Sequence, residues 1–135
     1  GYSPGLVFKI VAMNQRSPFR IVLSATSTRP AQLLEVFALL NLGLVQCMAS
    51  GTLSPTGAVQ RFYHADNCLY VRKRLRSREA DAIMSHGVQL PDLFACLPAE
   101  EAQRELLHDL ETIRGLCLKL LEKVQAPRVS RRATA

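Results

Sequence analysis

The chain has 135 residues, enough for one domain with a real core and short for two. Hydrophobic residues make up 48% and charged residues 21%, which excludes wholesale disorder. The formal charge is +6, from 17 Lys and Arg against 11 Asp and Glu, and the excess raises the question of an anionic partner.

No apolar run reaches the roughly 18 uninterrupted residues that read as a membrane span. Leu33 to Val45 comes nearest, and Glu35 and Asn41 interrupt it, so no membrane partner is expected. The cysteines Cys47, Cys68, Cys96 and Cys117 form no C-x-x-C pair and have mostly apolar neighbours. That spacing does not suit a zinc site, and no metal or other cofactor is expected. The thiols read as free, buried small hydrophobes. With no signal peptide visible, this implies an intracellular, reducing compartment, cytoplasm or nucleus. An opening Gly1 reads as part of a larger protein.

In chain order, Gly1 to Gly5 is a lead-in and Leu6 to Met13 (LVFKIVAM) has the β-branched residues of a strand. Asn14 to Pro18 is a turn cluster, and Phe19 to Ala25 alternates like a second strand. Ser27 or Thr28 can cap a helix that has Pro30 in its first turn. Leu33, Leu34, Phe37, Leu40 and Leu44 then fall at helical spacing, with Gly43 as the stop. Val45 to Leu53 and Ala58 to His64 read as strands, and Ser54-Pro55-Thr56-Gly57 as the turn that joins them into a hairpin. Cys68 to Val71 extends the sheet. Ser77 caps a short helix through Ser85, Gly87 stops it, and Val88 to Leu97 with Pro91 is an edge strand or packed loop. Pro98 opens a long helix to about Gln125, with Glu100, Glu101 and Glu105 near its positive end. Pro127 ends it.

Strand, helix and returning strand pack as right-handed crossovers, and two such units make a ferredoxin-like antiparallel sheet with helices on one face. The expected class is therefore α+β, residues 1–126 forming one domain with an appended helix at 98–125. Residues 127–135 are expected to be a disordered basic tail. Phe19 to Asp66 resembles the ACT domain family, especially the members in uridylyltransferase-like and plant regulatory proteins. The carrying residues are Arg29-Pro30, Leu33-Leu34, Gly43-Leu44 and Phe62-Tyr63 with Asp66. They match in order and spacing the family's D-R-P-G-L-L loop, its A-L-x-x-x-G-L helix end and its V-x-x-F-Y-V-x-D strand. The resemblance implies a βαββαβ regulatory module, and an amino-acid-binding loop at Thr28, Arg29, Pro30 and Ala31. Thr28 replaces the family's acidic residue and Ala31 its glycine, which weakens the case for a ligand. Members without a ligand work as pairing modules, so a homodimer or another protein partner is implied.

The remaining chemistry is sparse. His64, His86 and His108 have no metal-like partner and no triad. On a strand, His64 and Cys68 stand about 13 Å apart, too far for proton transfer. The acidic residues are dispersed and no Gly-rich phosphate loop exists, so the reading is non-enzymatic. Arg72, Lys73, Arg74, Arg76 and Arg78 put five cations in seven residues. With Arg61 they suggest a basic face, and Phe62, Tyr63 and Tyr70 suggest base stacking, hence a nucleic-acid partner. Bland readings are a charged edge strand that blocks aggregation, or a nuclear localisation patch.

On the last helix, Leu106, Leu110, Ile113, Cys117, Leu120 and Val124 step by four and three. This stripe fits either a partner helix or intramolecular packing. Residues 1–97 hold ten cations and five anions, 98–126 four and six, and 127–135 three cations. The charge excess is thus local, concentrated in Arg72–Arg78 and the tail.

Overall fold

In the computed structural model, the backbone is described for residues 29–134 and the side chains for residues 29–125. Five helices follow one another: α1 Pro30–Ala49, α2 Pro55–Arg61, α3 Ala65–Arg74, α4 Arg78–Cys96 and α5 Ala99–Thr134. No strand occurs among the described residues. The expected α+β class is therefore replaced by an all-helical bundle, and the ferredoxin-like, ACT-like reading is overturned. The expected strands Leu6–Met13 and Phe19–Ala25 lie outside the described residues.

Each misread segment has a local reason to be helical. In α1 the buried residues Leu33, Phe37, Ala38, Asn41, Val45 and Met48 continue one stripe beyond Gly43. Gly43 is exposed, and nothing stands within 4 Å of where its Cβ would be, so it does not stop the helix. Arg29 is the N-cap, in extended conformation and with no side-chain cap bond, and Pro30 sits at the first helical position. The left-handed residue of this region is Gly51, at φ 80, just after α1.

The supposed hairpin turn is a helix start. Ser54 Oγ accepts from the Gly57 amide at 3.0 Å, and Pro55 occupies the first position of α2. His64 caps α3, its Nδ1 accepting from the Asn67 amide. Ser77 caps α4 as expected, accepting from the Ala80 amide at 3.1 Å, with Glu79 and Asp81 in the first turn. But α4 runs past Gly87 to Cys96, with Pro91 inside it. Pro91 has no N–H to give the Gly87 carbonyl, so the ladder lacks one bond there. The long last helix is as expected to Gln125, and its backbone continues through Pro127 to Thr134.

The helices pack around α5, which lies along both α1 and α4, while α2 and α3 close against α4. Leu34 near the start of α1 lines one recess with Leu120 and Lys123, and Val45 and Ala49 near its end line another with Leu107 and Leu110. Hence α1 runs antiparallel to α5. The start of α4 also reaches Lys123, through Glu79, and its end lines a recess with Asp109, so α4 is antiparallel to α5 as well. The starts of α1 and α4 and the C-terminal half of α5 thus share one end of the bundle.

The core joins Leu33, Phe37, Val45 and Met48 to Phe62, Tyr63, Ile83, Met84 and Leu90, and to the buried stripe of α5. Ala102, Leu106, Leu110, Ile113, Cys117 and Leu120 are all buried. At ~25 cal/mol per Å² of apolar surface removed from water, such a stripe is a main source of stability.

By length and composition α1 is long and apolar enough to cross a membrane, despite the interruptions at Glu35 and Asn41. A third of its most apolar window is buried inside the bundle. Asn41 also ties it there, its Nδ2 donating to the Phe37 carbonyl at 2.9 Å and its Oδ1 accepting from the Tyr63 hydroxyl at 2.8 Å.

Candidate functional site

The expected ACT-like loop is the start of a helix. Arg29 is an exposed N-cap, and Pro30 and Ala31 form the first exposed turn of α1. Thr28 lies outside the described residues. The expected partner-helix face is spent inside the fold. Leu106, Leu110, Ile113, Cys117 and Leu120 are buried, and Val124 is half-buried. This is the intramolecular alternative for that stripe.

Of the three aromatic residues expected to stack on bases, Tyr70 is half-buried and the other two are not surface residues. Phe62 and Tyr63 are buried, edge to face with ring centres 5.0 Å apart, and Phe62 also packs near Phe37. Tyr63 crosses the middle of the bundle. Its hydroxyl reaches Asn41 on α1, and its ring lies against the backbone of α4 at Gly87. Burial, and secondarily Cys117 nearby, pushes its phenol well above the usual range. The sequence reading missed this role for Tyr63 and Gly87. A glycine within an amphipathic helix was the available signal.

The basic run is the one expected site that the fold exposes in full. Arg72, Lys73 and Arg74 form the last turn of α3, and Arg76 and Arg78 follow across the turn into α4. All five are exposed. None forms an ion pair with another described residue, the two such pairs being Arg114–Glu111 and Lys123–Glu79.

The cations point in several directions around this corner. Arg72 lines a recess of about 270 Å³ with Cys68, Asp81, Met84 and Gln89. The Arg74 guanidinium lies 6.0 Å from the centre of the Tyr70 ring. Arg76 and Arg78 line an open recess of about 420 Å³ with Lys123, Leu34 and Leu120. Arg61 stays on α2, where its guanidinium donates to the Gly57 carbonyl at 3.5 Å.

Two features hold the corner in place. Arg76 has φ 48, a left-handed conformation that turns the chain from α3 into α4. Glu79 bonds Lys123 at 2.9 Å and ties α4 to α5. The Lys123 hydrogen bond holds the Glu79 carboxyl below its ordinary value against the opposing effect of its burial. The starts of α1 and α4 lie at this end of the bundle and direct their positive macrodipole ends there. The opposite end is acidic. Glu100, Glu101 and Glu105 are exposed on the first turns of α5, and Asp92 and Asp109 line a recess there with Cys96.

The histidines are dispersed over α3, α4 and α5. His64 is a half-buried cap, His86 is half-buried and His108 is exposed. His64 and Cys68 stand one helical turn apart, not two strand repeats. The Cys68 thiol donates weakly to the Tyr63 carbonyl at 3.9 Å, and burial raises its pKa. The cysteines are unbridged, but only Cys117 is fully buried; Cys47 and Cys68 are intermediate and Cys96 is exposed. Burial pushes the Cys117 thiol up to about 12. No group of three metal-ligating side chains is gathered among the described residues.

Comparison of the chain with protein-family models, curated proteins and solved structures found no match. The class of protein stands on the fold alone: an all-helical bundle with one basic and one acidic end.

Proposed function

We propose that the chain is a non-enzymatic binding module whose basic corner docks nucleic acid. The observation that carries this reading is the exposed set Arg72, Lys73, Arg74, Arg76 and Arg78, none of which is ion-paired within the described structure. Five unneutralised cations within two short turns repel one another, and a phosphate backbone relieves that repulsion. Lys119 stands on α5 beside the same corner and enlarges it, while Lys123 there is paired with Glu79.

The contact is with the backbone rather than the bases. Of the aromatic residues that would stack, Phe62 and Tyr63 are buried and Tyr70 is half-buried beneath Arg74, and the outward face of α4 beyond the corner carries Asp81, Ser85, Gln89 and Asp92 rather than cations. Binding is therefore expected to be weakly sequence-selective and strongly salt-dependent.

The test is fluorescence anisotropy with labelled duplex DNA and RNA across a salt series. Each B-DNA phosphate that the protein neutralises steepens the fall of log K with log salt by about 0.9. Changing Arg72, Lys73 and Arg74 together to alanine leaves up to three phosphates unneutralised, so the slope is expected to become shallower by up to about 2.7. These residues are exposed, so the fold is expected to survive. Binding that is unaltered in the triple variant, or absent at low salt in the parent, overturns the reading.

A further inference from the structure

The side of α5 that faces away from the core carries a second row, independent of the basic corner. Arg104, Leu107, Glu111, Arg114, Leu118 and Glu122 follow at steps of three or four, and all are exposed. Leu107 is 45% exposed and Leu118 46%, large values for leucines on a helix whose other face forms the core. The α1 side adds apolar surface. Leu42 lines a groove of about 340 Å³ with Leu107, Leu110 and Arg114, and Leu39, one turn earlier, is 55% exposed.

This row has a symmetry of its own. Read backwards about residues 112–113, Leu107 exchanges with Leu118 and Glu111 with Arg114, while Arg104 exchanges with Glu122 to within one residue. Each leucine thus maps onto a leucine and each charge onto its opposite. This is the self-complementarity that favours an isologous contact, in which one surface patch meets itself about a two-fold axis. We propose that the chain forms a two-fold homodimer through this face, with the two α5 helices antiparallel and crossing at residues 112–113.

In that pairing Leu107 packs on the partner's Leu118, and Leu118 on the partner's Leu107. The Glu111–Arg114 pair, 3.3 Å apart within one chain, meets its inverted copy and makes a four-charge cluster on the axis. Arg104 faces the partner's Glu122 at each end. The contact spans about 27 Å of helix at 1.5 Å per residue. Gly115 lies beside its centre with nothing within 4 Å of its missing Cβ, so the bare backbone lets a second helix come close. A parallel pairing of the same row sets like charges against each other, so the charges also choose the direction.

Sedimentation equilibrium of the 135-residue chain up to about 100 µM tests the proposal, with helical content checked by circular dichroism. The parent is expected to dimerise reversibly, and Leu118→Glu to weaken the dimer at least about tenfold while remaining folded. Glu111→Arg sets Arg against the partner's Arg114 and is expected to weaken it similarly. The double change Glu111→Arg with Arg114→Glu regenerates opposite charges and is expected to restore the parent's dissociation constant. A parent that stays monomeric overturns the proposal. So does a dimer indifferent to Leu118→Glu, or a single-charge defect that the double change fails to repair.

Discussion

Replacing Gly87 by alanine adds one methyl group where there is no room. An alanine Cβ would stand 2.3 Å from Tyr63 Cδ1 and 2.4 Å from Cγ, well inside van der Waals contact. The ring cannot step aside cheaply, because Tyr63 is 1% exposed and its hydroxyl is fixed to Asn41 at 2.8 Å. Either α4 shifts outward or that buried bond breaks. Overpacking costs about 1–3 kcal/mol, and leaving a buried donor and acceptor unpaired costs about 1–3 more. Against this, alanine gains about 1 kcal/mol of helix propensity over glycine. The expected net loss is about 1–5 kcal/mol, which at about 4 °C per kcal/mol is a fall in Tm of roughly 4–20 °C. Urea unfolding followed by circular dichroism measures it. Gly43→Ala is the control: with nothing within 4 Å, it keeps the propensity gain and is expected to stabilise by up to about 1 kcal/mol. If Gly87→Ala is neutral or stabilising, the packing of Tyr63 on α4 is wrong.

Tyr63→Phe orphans the buried Asn41 carbonyl oxygen and is expected to cost about 1–2 kcal/mol, whereas Asn41→Leu with Tyr63→Phe removes both polar partners and recovers part of that loss; a double-mutant cycle reads the coupling. The folded carboxyl of Glu79 titrates below its unfolded value, chiefly through the Lys123 hydrogen bond. Its stabilisation is therefore complete above the ordinary carboxylate pKa of about 4.3 and is lost as pH falls through the lower folded value. Glu79→Gln should flatten that acid limb of a stability–pH profile, and an unchanged limb counts against the pair. In alkylation at about pH 8, Cys96 is expected to react first, since it is exposed, and Cys117 only on unfolding, since its thiol is buried and pushed up to about 12. Peptide mass mapping over time distinguishes the two.

The long elements were legible because their stripes are long. The α5 stripe from Leu106 to Leu120 repeats over several turns, and that period has no strand interpretation. The start of α1 was legible from Pro30, although its N-cap is Arg29 and not the expected Ser27 or Thr28, and the start of α4 was legible from its cap Ser77. The short segments failed for one shared reason. Val45 to Ala49, Ala58 to Arg61 and Cys68 to Val71 are each too brief for periodicity to separate strand from helix. Their fate was decided by neighbours: Val45 and Met48 extend a stripe set by Leu33 and Phe37, and Ala58 and Val71 fill the core beside α4.

The serine of Ser54-Pro55 was a cap and not a turn, which only the following helix could reveal. Gly87 misled most. It reads as a stop, but its role is to receive an aromatic ring from a residue 24 positions earlier, and such long-range packing leaves no local mark. At the site, the basic run was legible as a charge cluster. Its aromatic company was not, because nothing local shows that Phe62 and Tyr63 turn inward while Tyr70 stays partly outside.

Arg76 sets two demands against each other. Its left-handed backbone disfavours a side chain by about 1–2 kcal/mol, while the looser unfolded chain of glycine would give back about 0.5–1. Arg76→Gly should therefore leave the protein as stable as before or slightly more so, and lighter by one charge at the corner where charge is concentrated. The turn that joins α3 to α4 is thus held in a form its own residue resists. For this chain, the sturdiest corner and the most basic corner are two different sequences.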